Sequence, residues 1–264
     1  MANSQRTAAF FDLDKTIIAM SSSSALSRPL LEGGLLTRTA ALRTAYASLL
    51  FHMGGANERR TNRLRDALSE LIRGWEVDRL NEILEETLEE YIDPVVFEEA
   101  LELIDAHHRL GRDVIVVSAS AVDVVQPIAD LLGADGVIAT RMGIEDGRFT
   151  GDIDFYAFGE NKAIAIKEMA EERGYDLDRC YAYSDSITDM PMLAVVGHGY
   201  AVNPDRALRR AALDNGWGLL HFRKPVALRA RNSPASVALG AVLIAGAVVA
   251  TVLVVRAMRR RRFD

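Results

Sequence analysis

Cysteine is almost absent: Cys180 is the only one among 264 residues. An internal disulfide is therefore impossible, and no metal centre can be built from several thiolates. Cys180 lies in the apolar run Cys180-Tyr181-Ala182-Tyr183 and reads as a buried strand residue, because nothing around it looks like the supporting base a catalytic thiol needs. Histidine is scarce too. His52, His107, His108, His198 and His221 show no HExxH-like spacing and read as structural or solvated. A net basic charge is also lacking, with 31 Lys and Arg against 37 Asp and Glu. Nine of those basic residues but only Asp264 of the acidic ones lie in 223–264, so 1–222 is an acidic body, which argues against nucleic acid as a partner. The N-terminal stretch MANSQRTAAFFDLDKT has no long apolar segment before charges appear. A secretory signal is not expected, and the body is expected to stay in the cytoplasm. No internal repeat is apparent.

What the chain does have is a run of short apolar segments separated by helical patterns. Residues 7–11 (TAAFF), 114–117 (VIVV), 136–140 (GVIAT), 181–183 (YAY), 199–202 (GYAV) and 218–222 (GLLHF) read as buried strands. Between them, helices are predicted over 94–110, opened by Asp93-Pro94, over 122–132 and 160–173, each closed by a glycine, and over 190–195. Strands that are apolar throughout and alternate with helices indicate a parallel sheet covered on both faces: an α/β, doubly wound, Rossmann-like core spanning 1–21 and 92–222. Residues 22–91 break the alternation. They carry only helical periodicity (Leu64, Leu68, Leu71, Ile72 and Trp75, then Leu80, Ile83, Leu84, Leu88 and Tyr91), with Gly54-Gly55 and Gly74 as breaks. This stretch reads as a helical cap inserted after the first strand, and Ser21 to Ser24 as a hinge or the start of a helix. Asp146-Gly147, within 141–155, is a hairpin signal.

The C-terminal part differs in kind. Ala235 to Val255 is uncharged and overwhelmingly apolar. As a helix rising about 1.5 Å per residue, it would cross the ~30 Å hydrocarbon core of a bilayer. The linker 223–234 carries four basic side chains and the tail 256–264 carries five arginines, so the flanking charge does not fix the orientation. A single transmembrane helix is expected, with the catalytic body on the cytoplasmic side of the cell membrane and the basic linker against anionic lipid.

The chemistry-bearing residues stand at the ends of the predicted strands. Asp12 and Asp14 follow the first strand in Asp12-Leu13-Asp14-Lys15-Thr16. Alternate side chains of an extended segment share a face, so the two carboxylates can converge on one substrate. One can attack phosphorus while the other gives a proton to the leaving oxygen and later activates water. Such a pair calls for a cation, and carboxylates suit Mg²⁺. A lone DxD is equally consistent with surface or helix-capping aspartates. Ser118 follows VIVV and is placed to hydrogen-bond a phosphoryl oxygen. Lys162 opens a helix and can neutralise charge on the same group, while Asp185 and Asp189, beyond YAY, offer a metal ligand and a partner for Lys162. Each residue has an ordinary structural reading when taken singly, but four such features at successive strand ends do not.

FFDLDKT, VVSAS, Lys162 in GENKA and YSDSITDMPML, in that order, resemble the haloacid dehalogenase-like phosphatases over about residues 7–222. The helical insert and the DGRFTG hairpin are similar to the branch that contains the phosphoserine phosphatases. The resemblance implies Asp12 as nucleophile, Asp14 as acid/base, Ser118, Thr16 and Ala119 around the phosphoryl group, and Lys162 balancing its charge. It further implies Mg²⁺ held by Asp12, Asp185 and the backbone carbonyl of Asp14, with Asp189 supporting Lys162 and the metal's water. Asp14-Lys15-Thr16 also resembles the DKTGT of ion-pumping ATPases, but the threonine four positions after the nucleophile is Thr16 only if that nucleophile is Asp12. Two departures weaken a phosphoserine assignment: Ser21 stands where that branch usually has a glutamate, and Ser118-Ala119-Ser120 replaces SGG. The expected activity is hydrolysis of a phosphomonoester, the substrate a lipid phosphate headgroup or a small phosphorylated metabolite. Hydrolysis of phosphoserine in serine biosynthesis, transfer of the phosphoryl group to an alcohol through the same intermediate, and an inactive membrane-tethered binding protein are the alternatives.

Overall fold

The computed structural model describes residues 6–37, 66, 69–223, 225 and 226. The chain divides into two units, Met1–Pro225 and Val226–Asp264. Only Val226 of the second unit is described, so the expected span 235–255 and tail 256–264 lie outside the described residues, as does most of the linker. Among the described residues no helix is long and apolar enough to cross a membrane.

The first unit is built on seven strands: β1 Ala8–Asp12, β3 Asp113–Ala121, β4 Gly136–Glu145, β5 Arg148–Phe155, β6 Tyr181–Ser184, β7 His198–Val202 and β8 Gly218–Leu220. A two-residue strand β2, Val96–Phe97, stands apart from this sheet. The sheet order is β5-β4-β3-β1-β6-β7-β8, all parallel except β5, which returns antiparallel beside β4. β1 is therefore central, with every residue buried, which accounts for its unbroken apolar run. On one face Phe10, Ile115, Val117, Ala182 and Ala201 pack with side chains from the helices after β5 and β6 and between β7 and β8. On the other, Phe11 stacks on Tyr183 at 4.3 Å between ring centroids, and His107 meets Phe11 edge-on at 5.9 Å. Each large apolar side chain so buried stabilises the fold by about 1.5–3 kcal/mol.

The helices are α1 Ser22–Ala25, α2 Ser27–Glu32, α3 Val77–Tyr91, α4 Glu98–Arg109, α5 Val122–Leu131, α6 Glu160–Arg173, α7 Met190–Ala194 and α8 Arg206–Asn215. Several boundaries depart from the sequence reading. The α-helix expected from residue 94 begins at Glu98, because Asp93–Val95 forms a 3₁₀ turn and Val96–Phe97 is extended: Ala19 N–H donates to the Val95 carbonyl at 2.7 Å and Phe97 N–H to that of Ile17 at 2.9 Å. The strand expected over 114–117 runs on to Ala121, so Ser118 lies inside it; pairing with β4 continues through Ser118 and then shifts register before Ala121. The strand expected over 218–222 ends at Leu220. Cys180 is fully buried but immediately precedes β6, accepting a hydrogen bond from Ala8 N–H at 3.2 Å.

The regular elements of the insert among the described residues are helices, joined by non-helical stretches at 33–37 and 73–76. Ser21 caps α1 through its side chain, so the serine run is the start of a helix. α3 buries Leu80, Ile83, Leu84 and Leu88, whereas Leu64, Leu68 and Gly54-Gly55 lie outside the described residues. Asp146 and Gly147, with φ of 48° and 73°, form the left-handed turn between β4 and β5. That hairpin meets the insert: Gly74 N–H donates to the Phe149 carbonyl at 2.8 Å, Phe149 N–H to that of Trp75 at 3.0 Å, and Arg148 pairs with Glu76.

Candidate active site

β1 ends at Asp12, whose register partner on β3 is Val117, one residue before Ser118. The chain then turns sharply. The Leu13 carbonyl accepts from the N–H groups of Thr16, Ile17 and Ile18, and Lys15 adopts φ of 63°, which folds Asp14-Lys15-Thr16 around the end of the strand. On the far side of the sheet order, β6 delivers Ser184 and then Asp185. Asp189 follows in a 3₁₀ turn capped by Ser186.

Lys162 joins these ends. It stands in the first turn of α6, whose N-cap, Gly159, has φ of 57° and ψ of −125°, a conformation that only glycine adopts without strain. The ammonium is buried and donates to Asp12 Oδ1 and Asp189 Oδ2, both at 2.8 Å. Asp189 Oδ2 also accepts the Ser184 hydroxyl at 2.8 Å. Burial works against the Lys162 charge, but Asp12 and Asp189 outweigh it and raise the lysine pKa. The Asp12 carboxyl is itself pushed well above its ordinary value, first by burial. Lys162 opposes that rise, and Asp189, Asp185 and Asp14 add to it.

Asp14 is held on the insert's side. Its Oδ1 accepts Ser22 N–H, at the first residue of α1, at 2.5 Å, and its Oδ2 lies 3.5 Å from the Ser120 hydroxyl. Burial raises its pKa, opposed by the Ser22 hydrogen bonds and by the charges of Lys162 and Lys15. Ser118 is fully buried and its hydroxyl accepts Ser120 N–H at 3.2 Å. The Ala119 carbonyl accepts from the Thr140 hydroxyl at 2.7 Å, which ties this bulged segment to β4. Thr16 Oγ1 is buried with no hydrogen-bond partner among the described residues.

Of the expected residues only Lys162, Asp12 and Asp189 are bonded directly to one another. Asp185 makes no hydrogen bond or ion pair through its carboxylate among the described residues, and its backbone carbonyl accepts Asp205 N–H at 3.0 Å. Its carboxyl is pushed up to about 7, first by burial, with Lys15 opposing and Asp189 reinforcing. Among the described residues no group of three or more His, Cys, Asp or Glu side chains is arranged to hold a metal. The expected Mg²⁺ set needs only two such side chains, Asp12 and Asp185, and completes itself with the Asp14 carbonyl. That is a hard-oxygen donor set, carrying carboxylates whose charge Lys162 does not fully balance, and it fits Mg²⁺.

Sequence reasoning missed Ser184, Ser22 and Thr140 as parts of this arrangement. Ser184 and Thr140 sit next to strand ends already marked, but a lone hydroxyl residue carries no signal by itself. Ser120 was visible as a departure from SGG, without a role.

The haloacid dehalogenase-like hydrolase profile matches residues 9–194, which runs from β1 through Lys162 and Asp189. The chain belongs to that family. It is 54% identical over 262 residues to the inhibition of morphological differentiation protein of Streptomyces azureus, covering 97% of this chain and 95% of that one. A probable phosphatase of Mycobacterium tuberculosis is 49% identical, with 98% and 91% covered. A phosphoserine phosphatase of the same organism is 35% identical, with 89% and 77% covered. Among solved structures, a protein of unknown function from Bordetella pertussis Tohama I superposes with a TM-score of 0.72 at 27% identity, covering 82% of this chain and 99% of that one. The chain is thus a phosphatase of the haloacid dehalogenase type, similar to the phosphoserine phosphatase branch.

Proposed function

We propose that the chain is a Mg²⁺-dependent phosphomonoester hydrolase that works through an aspartyl phosphate on Asp12. The observation that carries this is Lys162, a buried ammonium bonded to both Asp12 and Asp189 at 2.8 Å. It opposes the rise in the Asp12 pKa that burial imposes, favouring the ionised carboxylate, and holds it in one orientation, as a nucleophile requires. An Asp12 oxygen attacks phosphorus, the ester P–O bond breaks, and the leaving oxygen takes the proton of the Asp14 carboxyl. The raised Asp14 pKa suits it to carry that proton. Water then attacks phosphorus and gives a proton to Asp14, the Asp12–phosphorus bond breaks, and inorganic phosphate leaves. Ser118, Thr16 and the Ala119 backbone surround the phosphoryl oxygens. Bound through Asp12, Asp185 and the Asp14 carbonyl, Mg²⁺ would supply charge stabilisation for the transferring group.

The substrate class we infer is a small phosphorylated metabolite or a lipid phosphate headgroup. A phosphorylated molecule follows from the phosphatase relatives, and the lipid option follows from the apolar run 235–255, which we propose anchors the enzyme in the cell membrane with its catalytic unit in the cytoplasm. Phosphoserine is less well supported. Ser21, where that branch usually has a glutamate, uses its hydroxyl to cap α1, accepting Ser24 N–H at 3.3 Å, and offers no charge to a substrate ammonium.

The test is phosphate release with Mg²⁺ across serine phosphate, sugar phosphates, nucleotides and lysophosphatidate, with Asp12→Asn as the blank. One good substrate and a silent Asp12→Asn are expected; steady-state turnover by that variant would sink the assignment of the nucleophile.

A further inference from the structure

Around Asp14 the structure holds an arrangement that none of the expected roles uses. The Ser120 hydroxyl stands 2.9 Å from the Ser22 hydroxyl and 3.5 Å from Asp14 Oδ2, while its N–H donates to Ser118 Oγ at 3.2 Å. One residue on the β3 bulge thus touches the expected acid/base, the residue expected to hold the phosphoryl group, and the first residue of the insert. Ser22 is fully buried, and its own N–H fixes the other oxygen of Asp14. Either hydroxyl of the Ser22–Ser120 pair can donate; with Ser22 O–H donating, the single Ser120 O–H is left to point toward Asp14 Oδ2, 3.5 Å away. With Oδ1 taken by Ser22 N–H, the carboxyl plane is held from both sides.

We propose that Ser120, braced by Ser22, is a positioning residue for Asp14, setting the carboxyl in the orientation from which it protonates the leaving oxygen. A glycine at this place offers only the N–H to Ser118. The side chain is what adds a bond across to Asp14 and to the insert, so the insert's first helix and the proton donor are coupled through it. This rests on the reading of Asp14 as the acid, and the experiment separates the two.

A positioned acid matters in proportion to how basic the leaving group is. p-Nitrophenolate departs as a stable anion and needs little protonation; unsubstituted phenolate is more basic, similar in shape, and needs more. In the full-length chain, kcat/KM for phenyl phosphate and for p-nitrophenyl phosphate, which reports the step in which the leaving oxygen departs and not the breakdown of the shared aspartyl phosphate, is measured with Mg²⁺ for the parent, Ser120→Gly, Ser120→Ala, Ser120→Thr and Asp14→Asn, with melting temperature as the check on folding. Ser120→Gly and Ser120→Ala are expected to lose roughly 10-fold in kcat/KM on phenyl phosphate and under about 2-fold on p-nitrophenyl phosphate, a fraction of the roughly 10²–10⁴ that a general acid contributes. Ser120→Thr, which keeps the hydroxyl, should restore most of the loss. Equal losses in kcat/KM on both substrates, or no change, would overturn the proposal while leaving Asp14 in place. If Asp14→Asn shows no leaving-group dependence either, the reading of Asp14 as the acid fails with it.

Discussion

Lys162 gives the sharpest test of the electrostatics. Its side chain is 3% exposed and its partners Asp12 and Asp189 are 9% and 4% exposed, so the three charges share a nearly dry space. Replacing Lys162 with Met keeps an unbranched side chain of similar length and removes only the cation. Two carboxylates then face each other without compensation. Breaking a buried pair from one side costs about 3–5 kcal/mol, and with about 2–4 °C of melting temperature per kcal/mol for a unit of this size the expected drop is about 6–20 °C at neutral pH. Low pH should relieve the loss. Without the lysine the folded Asp12 carboxyl titrates well above its unfolded value, so stability is retained below the unfolded pKa and lost as pH rises through the folded one.

The assay is thermal or urea unfolding of the metal-free protein between pH 5 and 8, in four backgrounds: parent, Lys162→Met, Asp12→Asn with Asp189→Asn, and all three together. In the doubly neutral background Lys162 is itself the orphaned buried charge, so the Met substitution should cost nothing or stabilise. A Lys162→Met penalty below about 1 kcal/mol in the parent, or an equal penalty in both backgrounds, would refute the idea that this lysine exists to balance Asp12 and Asp189.

Two further outcomes follow from single groups. His107 is buried against Phe11 and hydrogen-bonds the Tyr183 hydroxyl at 2.9 Å; burial first, then Arg112 and His108, lowers its pKa to about 4. The folded state therefore holds it neutral, with the stabilising contribution present above its unfolded pKa of about 6.5 and lost as pH falls toward 4. His107→Gln should flatten the pH dependence of unfolding in that window by about 1–3 kcal/mol; an unchanged slope in urea titrations would exclude His107 as its source. Thr16 Oγ1 lacks a hydrogen-bond partner among the described residues, so Thr16→Val should leave stability unchanged or raise it by up to about 1 kcal/mol while lowering kcat for phosphate release. A variant that is destabilised but fully active would show the hydroxyl to be structural.

Much of this was legible because each strand's apolar run stops at a polar residue. Asp12, Ser118 and Asp185 were found from that signal, and the sheet order β3-β1-β6 sets their strands side by side. Lys162 and Asp189 were found from order along the chain. What the residues could not give was the distance between them: a lysine at the start of a helix reads as solvated until the fold buries it. The end of β3 was misjudged because alternation stops being informative once a strand passes from sheet pairing into a bulge, where Ser118, Ala119 and Ser120 each serve a local bond. The start of α4 was misjudged because Val96 and Phe97 fit a helical stripe equally well, and only their pairing with 17–19 decides for extended backbone.

The parallel topology explains how a lysine 150 positions from Asp12 reaches it at 2.8 Å, and why an insert between β1 and β3 need not disturb that contact. A crossover between neighbouring parallel strands is free in length as long as both ends keep their register, and Ala8–Asp12 pairs with Asp113–Val117 without a break. The residues that we propose break and form bonds to phosphorus therefore sit on elements the insert does not interrupt, while what the insert admits can vary with 22–91. The two are not independent, though, because the first residue of the insert, Ser22, is bonded to Asp14 and Ser120. A change in the insert that shifts α1 should reach the proton donor before it reaches the nucleophile, whose partners Lys162 and Asp189 lie on the opposite side of the chain's turn. Variation in 22–91 is then expected to alter leaving-group dependence first and metal-dependent capture of phosphate second.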